Sequence, residues 1–121
     1  GIGAYARIGA YARIGDRARI GEGASIGEGA SIGKGASIGE GASIGEGASI
    51  GEGAENAIDL GTAAGYRVCI AAVKGVAHIG AGCQWMSLEA AEHSEYADGP
   101  EQRAMLAYAK VRAELAGWSV A

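Results

Sequence analysis

Histidine is missing from the first 60 positions, and cysteine occurs only twice in the whole chain. Those two, Cys69 and Cys83, cannot build a disulfide framework, so a reduced setting is the default expectation. No apolar run approaches the ~20 residues that a spanning helix needs, which leaves no reason to expect a membrane partner. A strong charge of one sign is lacking too. Ten Lys and Arg stand against fourteen Asp and Glu, a formal −4, which argues against general nucleic-acid binding. No stretch reads as a signal peptide. The first residue is Gly1 rather than Met, so the compartment stays open, with the cytoplasm as default.

What the chain has in excess is glycine, 23 residues of it, and the glycines keep time. Isoleucine falls at 2, 8, 14, 20, 26, 32, 38, 44 and 50, each followed by Gly. Alanine falls two residues before each later isoleucine. A strict period of six fits neither a 3.6-residue helix nor a continuous strand, and it is not the pattern of a linker or of collagen. It fits a chain that turns a corner every six residues and stacks coil on coil. The isoleucine of each side then points inward. The small alanine shares its direction, and glycine serves the corner.

The pattern Ile-Gly-x-x-Ala-x resembles the hexapeptide repeat of left-handed parallel β-helix proteins. In that family three hexapeptides make one triangular coil, so nine would make three coils here. The resemblance implies columns of Ile2, Ile20 and Ile38, of Ile8, Ile26 and Ile44, and of Ile14, Ile32 and Ile50, all nine buried. It also implies a homotrimer, since relatives commonly assemble so and the outward Ser and Gly positions leave flat sides. Charges sort along the axis. Arg7, Arg13, Arg17 and Arg19 dominate the first coil, while glutamates dominate the rest. Asp16, Lys34 and Glu52 should stack in one column of alternating sign.

The repeat loses register at Glu55-Asn56, which divides the chain into a β-helix over 1–60 and a module over 61–121. Asn56 to Gly61 reads as an exit strand and Thr62 to Gly65 as a connection. Tyr66 to Val73 and Val76 to Ala81 read as a hairpin turning at Lys74-Gly75. Val68, Ile70 and Ala72 should share a face with Ala77, Ile79 and Ala81, and that face should be the drier one. Ser87 reads as the N-cap of a helix from Leu88 to about Ser94. A second helix should start at Asp98-Gly99-Pro100-Glu101 and stop at Gly117, with Ala104, Tyr108, Val111 and Leu115 on one stripe. Trp118 should fold back on the core. The expected fold class is thus mainly β: a three-coil β-helix followed by a small ββαα module that caps or flanks one end. Gly82-Cys83-Gln84-Trp85, Ser87-Leu88-Glu89-Ala90-Ala91 and His93 resemble the C-terminal module of small phage and bacterial hexapeptide-repeat proteins. That likeness implies architecture and a mobile-element origin, in host cell or virion, rather than an activity.

Hexapeptide acyltransferases and γ-class carbonic anhydrases place histidines on the coils, and none lies there here. The resemblance to them therefore weakens any enzymatic reading. Cys69, His78, Cys83 and His93 are zinc-ligand types, but their spacing matches no compact zinc motif, so no metal and no cofactor are expected. The repeated Gly-x-Gly is repeat geometry, because no strand-to-helix step follows it.

The first coil is the exception to the pattern. Tyr5, Tyr11 and Arg17 replace the fourth-position glycine, and Arg7, Arg13 and Arg19 replace the sixth-position serine. Arginine grips phosphate with a fork of donors, and tyrosine offers a stacking face. The six residues form a candidate anion site, or else a cap or interface at the end of the prism. Three functions follow. One is a non-enzymatic structural or assembly protein. Another is a binding protein that sequesters a small anionic or nucleotide-like ligand. The third is a degenerate acyltransferase-like protein.

Overall fold

A computed structural model describes residues 1–82 and 84–120. Eight two-residue strands mark the sides of a triangular stack: β1 (Arg7–Ile8), β2 (Arg13–Ile14), β3 (Arg19–Ile20), β4 (Ser25–Ile26), β5 (Ser31–Ile32), β6 (Ser37–Ile38), β7 (Ser43–Ile44) and β8 (Ser49–Ile50). They fall into parallel columns β1-β4-β7, β2-β5-β8 and β3-β6. Ile8 aligns with Ile26 and Ile44, Ile14 with Ile32 and Ile50, and Ile2 with Ile20 and Ile38. The corners stack as well. Gly35 N donates to the Asp16 carbonyl and Gly53 N to that of Lys34, each at 2.9 Å, which aligns the Asp16–Lys34–Glu52 column.

Two glycine positions in each unit have different causes. A side chain on Gly21 would run into the backbone of Glu40 in the next coil, so the glycine after isoleucine allows the coils to approach. Gly23 sits at φ 71°, with open space around it, so the corner glycine is there for its backbone angle alone. Within the prism Ala24, Ala30, Ala36 and Ala54 are wholly buried, beside Ile20, Ile26, Ile32, Ile38, Ile44 and Ile50. The expectation of nine buried isoleucines fails in the first coil. Ile2 is 57% exposed and Ile8 36%, since among the described residues each has a stacked isoleucine, Ile20 and Ile26, on one side only.

The chain leaves the prism along β9 (Glu55–Ala63), longer than the exit segment read from sequence, with Ser37 aligned to Glu55 in parallel. It returns antiparallel as β10 (Tyr66–Val73), β11 (Val76–Ala81) and β12 (Gln84–Ser87), giving one sheet ordered β12-β11-β10-β9-β6-β3. The hairpin register is the expected one, with Val68 opposite Ala81, Ile70 opposite Ile79 and Ala72 opposite Ala77. The face expected to be drier is the drier one: all six of its residues are buried, whereas Arg67, Val73, Val76 and His78 on the other face are only half-buried. Val68, Ile70 and Ile79 lie under two helices, while Cys69 and Ala71, equally dry, plug the prism end beside Ile44 and Ile50. Both faces are covered because the hairpin lies between two cores.

Helix α1 (Leu88–Glu92) starts where Ser87 Oγ accepts from Ala90 N at 3.1 Å. Glu95–Asp98 forms a short 3₁₀ turn, and α2 (Pro100–Leu115) follows with Pro100 in its first turn. It closes at Gly117, φ 85°, and Trp118 turns back to donate to the Ala113 carbonyl at 3.0 Å. Leu106, Ala109 and Ala113 face the sheet, their small volumes letting the helix lie close. The stripe of Tyr108, Val111 and Leu115 faces solvent.

Candidate functional site

The open end of the prism carries the six residues singled out from sequence. Arg7, Arg13 and Arg19 begin β1, β2 and β3, so each occupies a different side. Tyr5, Tyr11 and Arg17 take the corners between them at φ 62°, 63° and 64°. All six side chains are exposed, Tyr5 at 87% and Tyr11 at 86%. The collar thus runs tyrosine, arginine, tyrosine, arginine, arginine, arginine around a rim, and one chain does not gather its arginines on a single face.

The rim surrounds unfinished backbone. Gly9 N donates to the Ile26 carbonyl and Gly27 N to that of Ile44, both at 2.7 Å. By the same periodicity the peptide groups of Ile2, Ile8 and Ile14 point away from the stack. The end therefore offers apolar side chains, strand edges, aromatic rings and guanidiniums together.

The opposite end is sealed by a polar staple. Asp59 on β9 accepts from Gly45 N at 2.6 Å and from Gly61 N at 2.8 Å, and pairs with Arg67 Nη1 at 3.4 Å. Ser49 Oγ donates to the Gly82 carbonyl at 2.6 Å, and Cys69 Sγ to the Ser49 carbonyl at 3.4 Å. Burial, followed by the Asp59 carboxylate, pushes the Cys69 thiol up to about 12, so it stays protonated and unreactive at neutral pH. His78 Nδ1 lies 3.0 Å from the Val76 carbonyl, and its ring stacks on Trp85 at 5.7 Å. His93 is exposed at the C-cap of α1. Cys83 lies outside the described residues. Among the described residues no three of His, Cys, Asp and Glu converge as metal ligands would.

A cleft of about 310 Å³ lies between the hairpin and the 3₁₀ turn, lined by Tyr66, Gln84, Glu95, Tyr96 and Gln102. The Tyr96 hydroxyl is buried with no partner among the described residues, and burial raises its pKa, leaving it a proton donor. Sequence reasoning missed this cleft, because its lining comes from separate elements with no shared motif.

A family model described as bacterial transferase hexapeptide (six repeats) matches residues 1–34 and 23–55. No curated protein and no solved structure matches the chain.

Proposed function

We propose, from a chain whose residues 1–55 form a hexapeptide-repeat β-helix, that this protein is a non-enzymatic structural component acting as a homo-oligomer, a trimer of prisms side by side. The observation behind this reading is the contrast between the two ends. The third coil is covered by the chain's own hairpin, while the first carries a ring of exposed tyrosine and arginine on its sides and corners, where a neighbouring prism would meet it. A collar that carries both groups can complement itself, since a guanidinium of one subunit can stack on Tyr5 or Tyr11 of the next. The likeness of the tail to small phage and bacterial proteins supports a mobile-element setting.

The test exploits the repeat itself. Tyr5 and Tyr11 occupy the position held by Gly23 and Gly29, at nearly the same φ. The double variant Tyr5→Gly/Tyr11→Gly should keep or raise subunit stability yet lose the threefold in its mass by light scattering at micromolar concentration. A wild-type chain that is already a monomer overturns the proposal. The sequestering alternative has its own outcome. Arg7 and Arg13 would have to meet between subunits, and Arg7→Ser/Arg13→Ser would abolish heat with nucleotides in calorimetry without changing mass. Acyl transfer from a thioester donor by purified protein would move the reading to the transferases.

A further inference from the structure

Helix α2 carries two apolar stripes on opposite sides. At 100° per residue, Leu106, Ala109 and Ala113 lie roughly 160° around the axis from Ala104, Tyr108, Val111 and Leu115. The first stripe is buried on the sheet. The second leaves Tyr108 45%, Val111 53% and Leu115 79% exposed. Its steps of four, three and four residues are the spacing of a helix-pairing seam. Arg112 holds the seam in shape, donating to Tyr108 Oη at 3.1 Å with its guanidinium 5.9 Å from the ring centre. Beside the seam runs a shallow groove of about 300 Å³ lined by Thr62, Ala63, Ala104 and Met105.

We infer that this face docks on α2 of a second copy of the chain, antiparallel, about a twofold axis between positions 109 and 110. Three features select that occupant and that orientation. The first is size. Antiparallel pairing sets Leu115 against Ala104 and Tyr108 against Val111 at every layer, large on small, whereas parallel pairing sets like on like. The most exposed knob then meets the groove floored by Ala63 and Ala104. The second is charge. Glu114 arrives beside Arg103 of the second copy twice over, once for each half of the symmetric pair, against a single facing pair of Arg112 side chains near the axis, each held on its own Tyr108. The third is the macrodipoles, which oppose in an antiparallel pair. The pairing rests on the trimeric reading only for its strength. Two trimers meeting through this face repeat the contact three times, and multivalency multiplies a small interface.

Light scattering on wild type and Val111→Glu separates the outcomes. Helix pairing with a trimer gives six chains in wild type and three in the variant. Helix pairing without a trimer gives two and one. A mass unchanged by Val111→Glu overturns the pairing, whether that mass is three chains or one, and three would leave the trimer standing. Because Val111 is exposed, the variant should keep its thermal midpoint and far-ultraviolet circular dichroism. Orientation is read in a Cys83→Ser background. Ala104→Cys mixed with Leu115→Cys should oxidise to a mixed dimer, and efficient self-linking of Leu115→Cys alone would overturn the antiparallel arrangement.

Discussion

At the residue scale, the fourth position of the repeat shows what each amino acid costs there. Six units place glycine at φ 69–72°, and three place tyrosine or arginine in the same left-handed region. A side chain there costs on the order of 1–2 kcal/mol. Replacing Tyr5 and Tyr11 by glycine should therefore raise the urea midpoint of the isolated subunit while removing the rings. Cys69 makes a prediction of another kind. Its folded pKa, raised to about 12, lies above the ~8.5 of an unfolded thiol. The folded state thus holds the proton more tightly. Stability from this group is complete below the unfolded value and drains away as pH rises towards the folded one. Cys69→Ala should lose packing at pH 7, yet its deficit in urea melts should shrink by about pH 10.5. The repeat made the left-handed corners legible, because glycine names the backbone angle. It could not show that Cys69 plugs a prism, since that contact joins segments about twenty residues apart.

At the element scale, what was legible in the sequence was local. Lys74-Gly75 fixed the hairpin register, and Ser87 and Pro100 fixed two helix starts. The drier side of the hairpin was legible too, but which side of α2 is buried was not, because a stripe shows that residues share a face without saying what covers it. Alanine is the reason in α2. Ala109 and Ala113 look too small to mark a core, yet smallness is what the close approach to the sheet requires. Asp59, which holds β9 to the third coil, carried no signal beyond an isolated acid in an apolar strand. Its carboxylate serves two backbone N–H groups and Arg67. Asp59→Ala should cost roughly 1–3 kcal/mol in chemical unfolding, since it leaves the half-buried N–H groups of Gly45 and Gly61 unpaired. A loss below about 0.5 kcal/mol would mean that water replaces the staple.

At the scale of the whole molecule, the prism is asymmetric, and stability should follow that asymmetry. Ile26 is buried between coils, and Ile26→Asp should unfold the stack, because an unpaired carboxylate would enter an apolar column. Ile2 belongs to the same repeat but is largely exposed, so Ile2→Asp should fold and melt within a few degrees of wild type. Circular dichroism melts of the two would test whether position in the stack, rather than residue type, sets the cost. The collar residues were visible in the sequence as the one departure from an otherwise uniform pattern. Their distribution over three sides follows from three hexapeptides to a coil, and Arg7, Arg13 and Arg19 do begin strands on different sides.

The second and third coils are nearly identical, and that identity carries a hazard. A chain written in one six-letter word can slide by one word and still bury isoleucine on isoleucine, turning the prism by a third of a revolution. Nothing inside the repeat penalises the slip. The penalty comes from the sheet that runs unbroken from β3 to β12, where Asp59 picks out Gly45 among the repeat glycines, Trp85 stands over Gly51, and Ser49 among the repeat serines meets Gly82. The tail is thus a phase mark as well as a plug. It tells a periodic chain which of its equivalent alignments is the native one.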